Sequence, residues 1–171
     1  DRPFAGNQAA VMTLDGWPDD AVLQAIGAEN NFAETAFLVP CASGDADWEL
    51  RWFTPTTEVR LCGHATLAAG HVLLGREPGR QAVRLATRRA GVLEVHRLGA
   101  GYELALPAAP TSPGDWPEAV AALGAQPEEV WRSDQGYDIF LYAGEERVRA
   151  LAPDFAALAR LGGHQFIATA P

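Results

Sequence analysis

Glu34 combines an ionisable side chain with two aromatic neighbours, Phe32 and Phe37, at the predicted junction of a loop and a strand. Burial against such neighbours raises the pKa of a carboxyl group and suits it to general acid/base catalysis. The position equally fits a solvated glutamate that caps the start of a strand. The local sequence leaves both interpretations open.

His64 lies in the first turn of a predicted helix, where backbone N–H groups have no partner within the helix. The N–H groups of Gly63, His64 and Ala65 could bind a carboxylate, and the imidazole could donate a hydrogen bond or carry a proton. The alternative is a histidine that hydrogen-bonds to the backbone at the helix start. In the first case, this end of the helix binds an anionic ligand.

Cys62 immediately precedes the same helix. A helix N-terminus can lower the pKa of a thiol, which would make Cys62 a base or a nucleophile. The alternative is a small, buried, apolar side chain. Cys41 has no partner in the sequence and is assigned no role. Two isolated cysteines exclude a zinc knuckle and a disulfide framework, and they indicate reduced thiols in a cytoplasmic protein.

Gly6 and Asn7 predict a turn, which could orient the Asn7 side chain into a site. The four histidines are scattered and do not pair with a Glu or His at a metal-binding helical spacing, so we expect no metal site. The sequence contains neither a Rossmann nor a P-loop glycine motif, so we expect no nucleotide cofactor. Any chemistry is therefore expected to come from side chains.

The charge and the hydrophobic pattern of the chain argue against two classes of partner, nucleic acids and membranes. The 171 residues include 13 basic and 22 acidic side chains, with a net charge of -9. No long basic run is present, so we expect no nucleic-acid binding. The longest apolar stretch, residues 65–75, is about half a membrane span, so we expect no membrane insertion.

Apolar periodicity and the positions of proline and glycine predict the secondary structure. Helices are predicted over residues 18–28, 64–74, 118–123, 145–151 and 155–161, and strands over residues 34–39, 48–53, 58–61, 82–88, 92–97, 102–106, 137–142 and 165–169. The helix at 64–74 is apolar on nearly every side and must be enclosed. We therefore predict a curved sheet wrapped around this helix, and a boundary at the proline-rich segment 111–117.

Three blocks of sequence carry a resemblance to a known family. They span residues 4–11, 31–37 and 50–68, and the third contains the runs LRWFTP and LCGHATLA. On these blocks the chain resembles the PhzF family of phenazine-biosynthesis-like isomerases. Ala33 stands where this family usually has a serine before the glutamate.

The resemblance implies an α+β, diaminopimelate-epimerase-like fold. In this fold two similar lobes each wrap a mixed sheet around a central helix, and the active site lies in the cleft between them. We expect a first lobe at residues 1–110 whose first strand is missing, a linker at 111–117, and an incomplete second lobe at 118–171. The family often forms homodimers.

The resemblance also implies a reaction and its residues. It implies cofactor-independent isomerisation of a small, carboxylate-bearing cyclic substrate, in which Glu34 moves a proton and His64 assists. Gly63 and the helix N-terminus that follows it match the place where the family holds a substrate carboxylate, and we expect Asn7, Cys62 and Ala65 to bind substrate as well. Cys62 aligns with a catalytic cysteine of related epimerases, which the PhzF type does not use. Two alternatives stay open: a catalytically incomplete binding or assembly protein, and epimerase chemistry through Cys62.

Overall fold

The computed structural model describes residues 6–171, and these form an α+β fold. The chain divides into two compact units, the first ending at Pro107 and the second beginning at Ala108. Residues 4 and 5 of the first sequence block, and the expected loss of a strand before them, lie outside the described residues. None of the helices within residues 6–171 is long and apolar enough to cross a membrane.

The first unit contains seven strands and two helices. In chain order these are β1 (Ala9–Thr13), α1 (Asp20–Asn30), β2 (Glu34–Pro40), β3 (Trp48–Phe53), β4 (Glu58–Val59), α2 (Gly63–Arg76), β5 (Ala82–Thr87), β6 (Val92–Leu98) and β7 (Gly101–Leu104). The strands form one sheet in the order β1-β2-β3-β5-β6-β7, with β4 paired to β3. The β1–β2 and β3–β5 pairs are parallel and the others antiparallel, so the sheet is mixed, as predicted.

Helix α2 is the central helix that the apolar pattern predicted over residues 64–74. It contacts β1, β2, β5, β6 and β7, which curl around it. Ala65, Ala69 and Leu74 are fully buried in the core between helix and sheet. At Gly70 the contact is so close that an added Cβ atom would lie 2.5 Å from Val95 Cγ1. Small residues therefore allow the helix to approach the strands.

Strand β2 is buried on both of its faces. Ala36 and Leu38 pack in the α2 core, whereas Phe37 packs with Leu23 of α1 and with Phe53 in a second core. Successive side chains of a strand point to opposite faces, which explains why a run of apolar residues serves two layers. Helix α1 begins two residues later than predicted and also ends two residues later, at Asn30.

A buried arginine links three elements of the first unit, β3, β4 and α1. Arg51 of β3 is 3% exposed, and its Nε and NH2 atoms donate to the two carboxylate oxygens of Glu58 over 2.7 and 2.8 Å. Its NH1 atom donates to Asp20 over 2.8 Å. The hydrogen bonds from Arg51 hold the pKa of Glu58 below its ordinary value of 4.5, although partial burial opposes the shift.

The second unit has a separate sheet and core. Its elements are β8 (Ser112–Gly114), α3 (Pro117–Leu123), β9 (Glu129–Arg132), β10 (Tyr137–Leu141), α4 (Glu145–Arg149), α5 (Phe155–Arg160) and β11 (Gln165–Thr169). The sheet order is β11-β10-β9-β8, with β10 and β11 parallel. The sequence analysis placed no strand at β8 or β9. Strand β8 lies inside the proline-rich segment 111–117 and pairs with β9.

Asp138 connects several segments of the second unit. Its side chain is fully buried, and Arg132 Nε and His164 Nδ1 each lie 2.7 Å from one of its carboxylate oxygens. The backbone N–H of Ser133 also donates to it, over 3.2 Å. Burial by itself would raise the pKa of Asp138, but the hydrogen bonds from Arg132 and His164 outweigh burial and lower the pKa.

Candidate active site

The start of β2 and the start of α2 bring the two predicted catalytic residues together. Glu34 is the first residue of β2, and its side chain lies on the face of the strand that also carries Ala36 and Leu38. His64 is the second residue of α2, and Cys62 is its N-cap residue. The sheet that encloses α2 therefore places the Glu34 carboxylate beside the first turn of the helix.

The carboxylate and the imidazole are in direct contact. Glu34 Oε2 and His64 Nε2 lie 3.1 Å apart, with side-chain exposures of 18% and 30%. The approach is not aligned with the ring N–H direction, and both atoms are buried without a hydrogen-bond partner among the described residues. Catalytic contacts are often poorly aligned before a ligand binds, so this arrangement can pass a proton once a substrate is seated.

The other imidazole nitrogen faces two further predicted site residues. Asn7 Nδ2 and Cys62 Sγ each lie 3.4 Å from His64 Nδ1. Asn7 and Glu34, which are far from His64 in the sequence, and the neighbouring Cys62 thus surround one imidazole ring. The structure brings Asn7, Glu34, Cys62 and His64 into a single cluster in the first unit.

Cys62 has the opposite pKa shift from the one expected for a nucleophile. Burial raises the pKa of its thiol to about 12, and the charge of Glu34 adds to the effect. Hydrogen bonds from the backbone N–H groups of Ala65 and His64 favour the thiolate but do not compensate. Of the two interpretations of Cys62, the structure therefore supports the small, buried side chain, because Cys62 is 7% exposed and its burial outweighs the effect of the helix N-terminus.

The N-terminal turn of α2 is built to hold polar groups. The carbonyl oxygen of Cys62 accepts hydrogen bonds from the Thr66 backbone N–H over 3.1 Å and from the Thr66 hydroxyl over 2.6 Å. Gly63 packs beside Leu106, whose Cδ1 atom would lie 3.1 Å from an added Cβ atom.

The cluster also contains atoms of the types that bind metal ions. Glu34, Cys62 and His64 can each offer one ligand atom, and these atoms lie within 4.8 Å of one another. Carboxylate, thiolate and imidazole are all zinc ligands. However, the closest contacts of Glu34 and Cys62 are to different nitrogens of the imidazole. These two contacts already explain why the three side chains lie together, so we assign no ion to the cluster.

The remaining histidines lie outside this cluster. His71 contacts the Tyr102 hydroxyl over 3.1 Å, and His96 contacts Glu94. His164 binds Asp138 in the second unit. We therefore assign these three histidines no part in the candidate site.

Sequence analysis did not single out Trp52. Its indole N–H is buried without a hydrogen-bond partner among the described residues, and its side chain is 2% exposed. Trp52 pairs with Ala36, so it lies on the β2–β3 face that carries Glu34. In the sequence, the position of Trp52 within the LRWFTP run is the one signal that could have pointed to this residue.

Comparison with known proteins supports this fold. The family model for phenazine biosynthesis-like protein, PhzC-PhzF, matches residues 1–170. Two Pseudomonas aeruginosa proteins, each named an uncharacterized isomerase, are 46% identical to this chain: PA3578 over 99% of the chain and PA2770 over 92%. The crystal structure of a putative phenazine biosynthesis PhzC/PhzF protein from Clostridium difficile is 36% identical over 99% of the chain, with a TM-score of 0.79.

The chain spans 64% of the length of PA3578, 60% of PA2770 and 64% of the Clostridium difficile protein. The match extends through both units of the chain, and it includes the segments that carry Asn7, Glu34 and His64. By sequence and by fold, the chain belongs to the PhzC-PhzF family of phenazine biosynthesis-like proteins.

Proposed function

We propose that this chain carries the acid/base site of a cofactor-independent isomerase. The observation that carries the proposal is the 3.1 Å contact between Glu34 Oε2 and His64 Nε2. A carboxylate beside an imidazole can take a proton from one carbon of a substrate and return it to another. The isomerase names of the 46% identical relatives support the same class of reaction.

The proposed substrate is a small cyclic molecule with a carboxylate group. The N-terminal turn of α2 supports this choice, because the start of a helix favours negative charge. The net charge of -9 opposes capture of an anion, so the local N–H groups would have to outweigh the field of the whole chain. Asn7, Gly63 and Ala65 are the proposed substrate contacts at this end of the site.

In the proposed mechanism Glu34 is the general base and then the general acid. Its buried Oε2 atom removes a proton from a ring carbon, and the same carboxyl group delivers the proton to a second carbon. His64 assists from its Nε2 side by stabilising charge on the carboxylate or on a substrate oxygen. The raised pKa of Cys62 argues against epimerase chemistry in which its thiolate is the base.

Solvent isotope exchange tests the proposal. Cyclic and aromatic carboxylates are incubated with the protein in D₂O, and proton NMR follows deuterium uptake at ring carbons. We expect Glu34→Gln to abolish uptake and to keep the near-UV circular dichroism of the wild type. Glu103→Gln is the matched control, because Glu103 is an exposed glutamate on β7. Wild-type uptake in Glu34→Gln would refute the role of Glu34, and ligand binding without uptake in the wild type would favour a binding protein.

A further inference from the structure

Two hydrogen-bond donors converge on one nitrogen of His64. Asn7 Nδ2 and Cys62 Sγ both lie 3.4 Å from Nδ1. An amide nitrogen can only donate, and a thiol that keeps its proton offers an S–H donor. Burial keeps the thiol protonated at neutral pH, because it raises the pKa of Cys62 to about 12. Nδ1 is therefore placed to accept hydrogen bonds.

The contact at the second ring nitrogen, Nε2, favours the same tautomer, in which Nδ1 accepts hydrogen bonds and Nε2 carries the proton. His64 Nε2 lies 3.1 Å from Glu34 Oε2, and an ionised carboxylate only accepts hydrogen bonds. If Nε2 carried a lone pair, two electron-rich atoms would face each other with both atoms buried. A proton on Nε2 replaces this repulsion by electrostatic attraction, although the ring N–H is not aligned with Oε2. When the imidazole is neutral, both sides of the ring thus favour the tautomer with its proton on Nε2.

We propose that Cys62 is a positioning residue whose S–H group holds His64 in the Nε2–H tautomer. The hydrogen bond made by one ring nitrogen decides which nitrogen carries the proton, so a donor at Nδ1 controls the group that faces Glu34. The inference rests on the proposed function and deepens it. Cys62 forms no bond to substrate and undergoes no oxidation in this role. It keeps a proton-bearing nitrogen against the Glu34 carboxylate, the group proposed to act as the base.

The tautomer can be measured without any substrate. The chain is labelled with ¹⁵N-histidine, and long-range ¹H–¹⁵N correlations are recorded at a pH where the imidazole is neutral. The His64 signals are assigned by their loss in His64→Gln. We expect the wild type to show a protonated Nε2 and an unprotonated Nδ1. In Cys62→Ala the Nδ1–H form should increase several-fold, whereas Cys62→Ser, which keeps an O–H donor, should retain the wild-type pattern.

Cys41→Ser is the matched control, since Cys41 contacts Ser43 and lies outside the cluster. It should leave the His64 signals unchanged. A wild-type spectrum with the proton on Nδ1 would overturn the inference, and so would a folded Cys62→Ala variant with the wild-type tautomer. A wild-type spectrum with the proton on Nδ1 overturns the inference even if Cys62→Ala does not fold.

Turnover provides a separate readout. Cys62→Ala should lower kcat with little change in KM, and Cys62→Ser should restore kcat, because only the orientation of the proton is affected. The proposed function fails if Glu34→Gln keeps isotope exchange, and that outcome does not depend on the His64 tautomer. The two proposals can therefore be rejected independently.

Discussion

Glu34 Oε2 and His64 Nε2 lie 3.1 Å apart, although one residue begins a strand and the other begins a helix. The contact requires β2 to run beside the N-terminus of α2, which only the enclosing sheet achieves. Both atoms are buried and lack a hydrogen-bond partner among the residues that the structure describes. Such a pair is costly to keep without a ligand, which supports the proposal that the two residues act on a substrate.

His64→Gln is expected to lower deuterium uptake into substrate by about 10²- to 10⁴-fold, the usual contribution of a positioned acid or base. Glutamine keeps a polar side chain but cannot carry the proton. The rate is measured by NMR in D₂O, as for Glu34→Gln. His71→Gln is the control, because His71 lies on the same helix but contacts Tyr102. A rate in His64→Gln equal to that of His71→Gln would rule out the role of His64.

The two cysteines are expected to differ strongly in reactivity. With its pKa raised to about 12 by burial, Cys62 is a thiolate in about one molecule in ten thousand at pH 8. Cys41 is partly exposed, and hydrogen bonds led by that from Ser43 lower its pKa. Iodoacetamide should therefore alkylate Cys41 first, with Cys62 modified many times more slowly. Mass spectrometry of timed digests measures both rates, and equal rates in the native protein would contradict this expectation.

Gly70→Ala is expected to destabilise the first unit by about 1–3 kcal/mol, the usual cost of overpacking a core. Alanine normally stabilises a helix relative to glycine, but here its Cβ atom would lie 2.5 Å from Val95, which is fully buried. Urea unfolding followed by circular dichroism measures the change. Gly75→Ala on the same helix, where no atom lies within 4 Å of the added Cβ, should be neutral or stabilising. A stable Gly70→Ala variant would show that α2 can move away from the sheet.

Acid should lower the stability of the first unit, in part by protonating Glu58. Hydrogen bonds from Arg51 lower the pKa of Glu58 in the folded state below 4.5. The ionised carboxylate thus stabilises the fold fully above pH 4.5, and this contribution is lost as the pH falls through the lowered folded pKa. Glu58→Gln should be less stable than the wild type at pH 7 and should lose less stability between pH 7 and pH 3. Urea unfolding across this range tests the prediction, and parallel pH curves would refute it.

Asp138→Asn is expected to destabilise the second unit by about 1.5–3 kcal/mol, because it removes the charge that accepts hydrogen bonds from Arg132 and His164. Asp138 is fully buried and binds both Arg132 and His164. Asp134→Asn is the control, since Asp134 is an exposed aspartate in the turn before β10. Thermal unfolding followed by near-UV circular dichroism compares the two variants, and similar midpoints would show that the ion pairs contribute little.

Strongly periodic segments could be predicted from the sequence, and weakly patterned ones could not. The apolar run at 64–74 has one stable solution, an enclosed helix, and the structure confirms it as Gly63–Arg76. Strand β8 is three residues long and contains Pro113, so neither length nor β propensity indicated a strand. Strand β9 is four residues long, too short for its alternation to be recognised.

The site was predicted less completely than the fold. Local sequence indicated Glu34 and His64 separately, but their contact depends on the position of β2 beside α2, which only the family resemblance implied. The pKa of Cys62 could not be predicted, because burial is a property of the folded chain. The cytoplasmic location, the homodimer and the carboxylate substrate stay predictions.

The two-sided burial of β2 has a consequence for motion. Its amides are covered by the α2 core on one face and by the α1 core on the other, so local opening of either layer leaves the strand covered by the other. We therefore expect the backbone amides of β2 to exchange only when both layers open. Glu34 begins this strand, so we expect its carboxylate to be supported by backbone that does not fluctuate independently of the core.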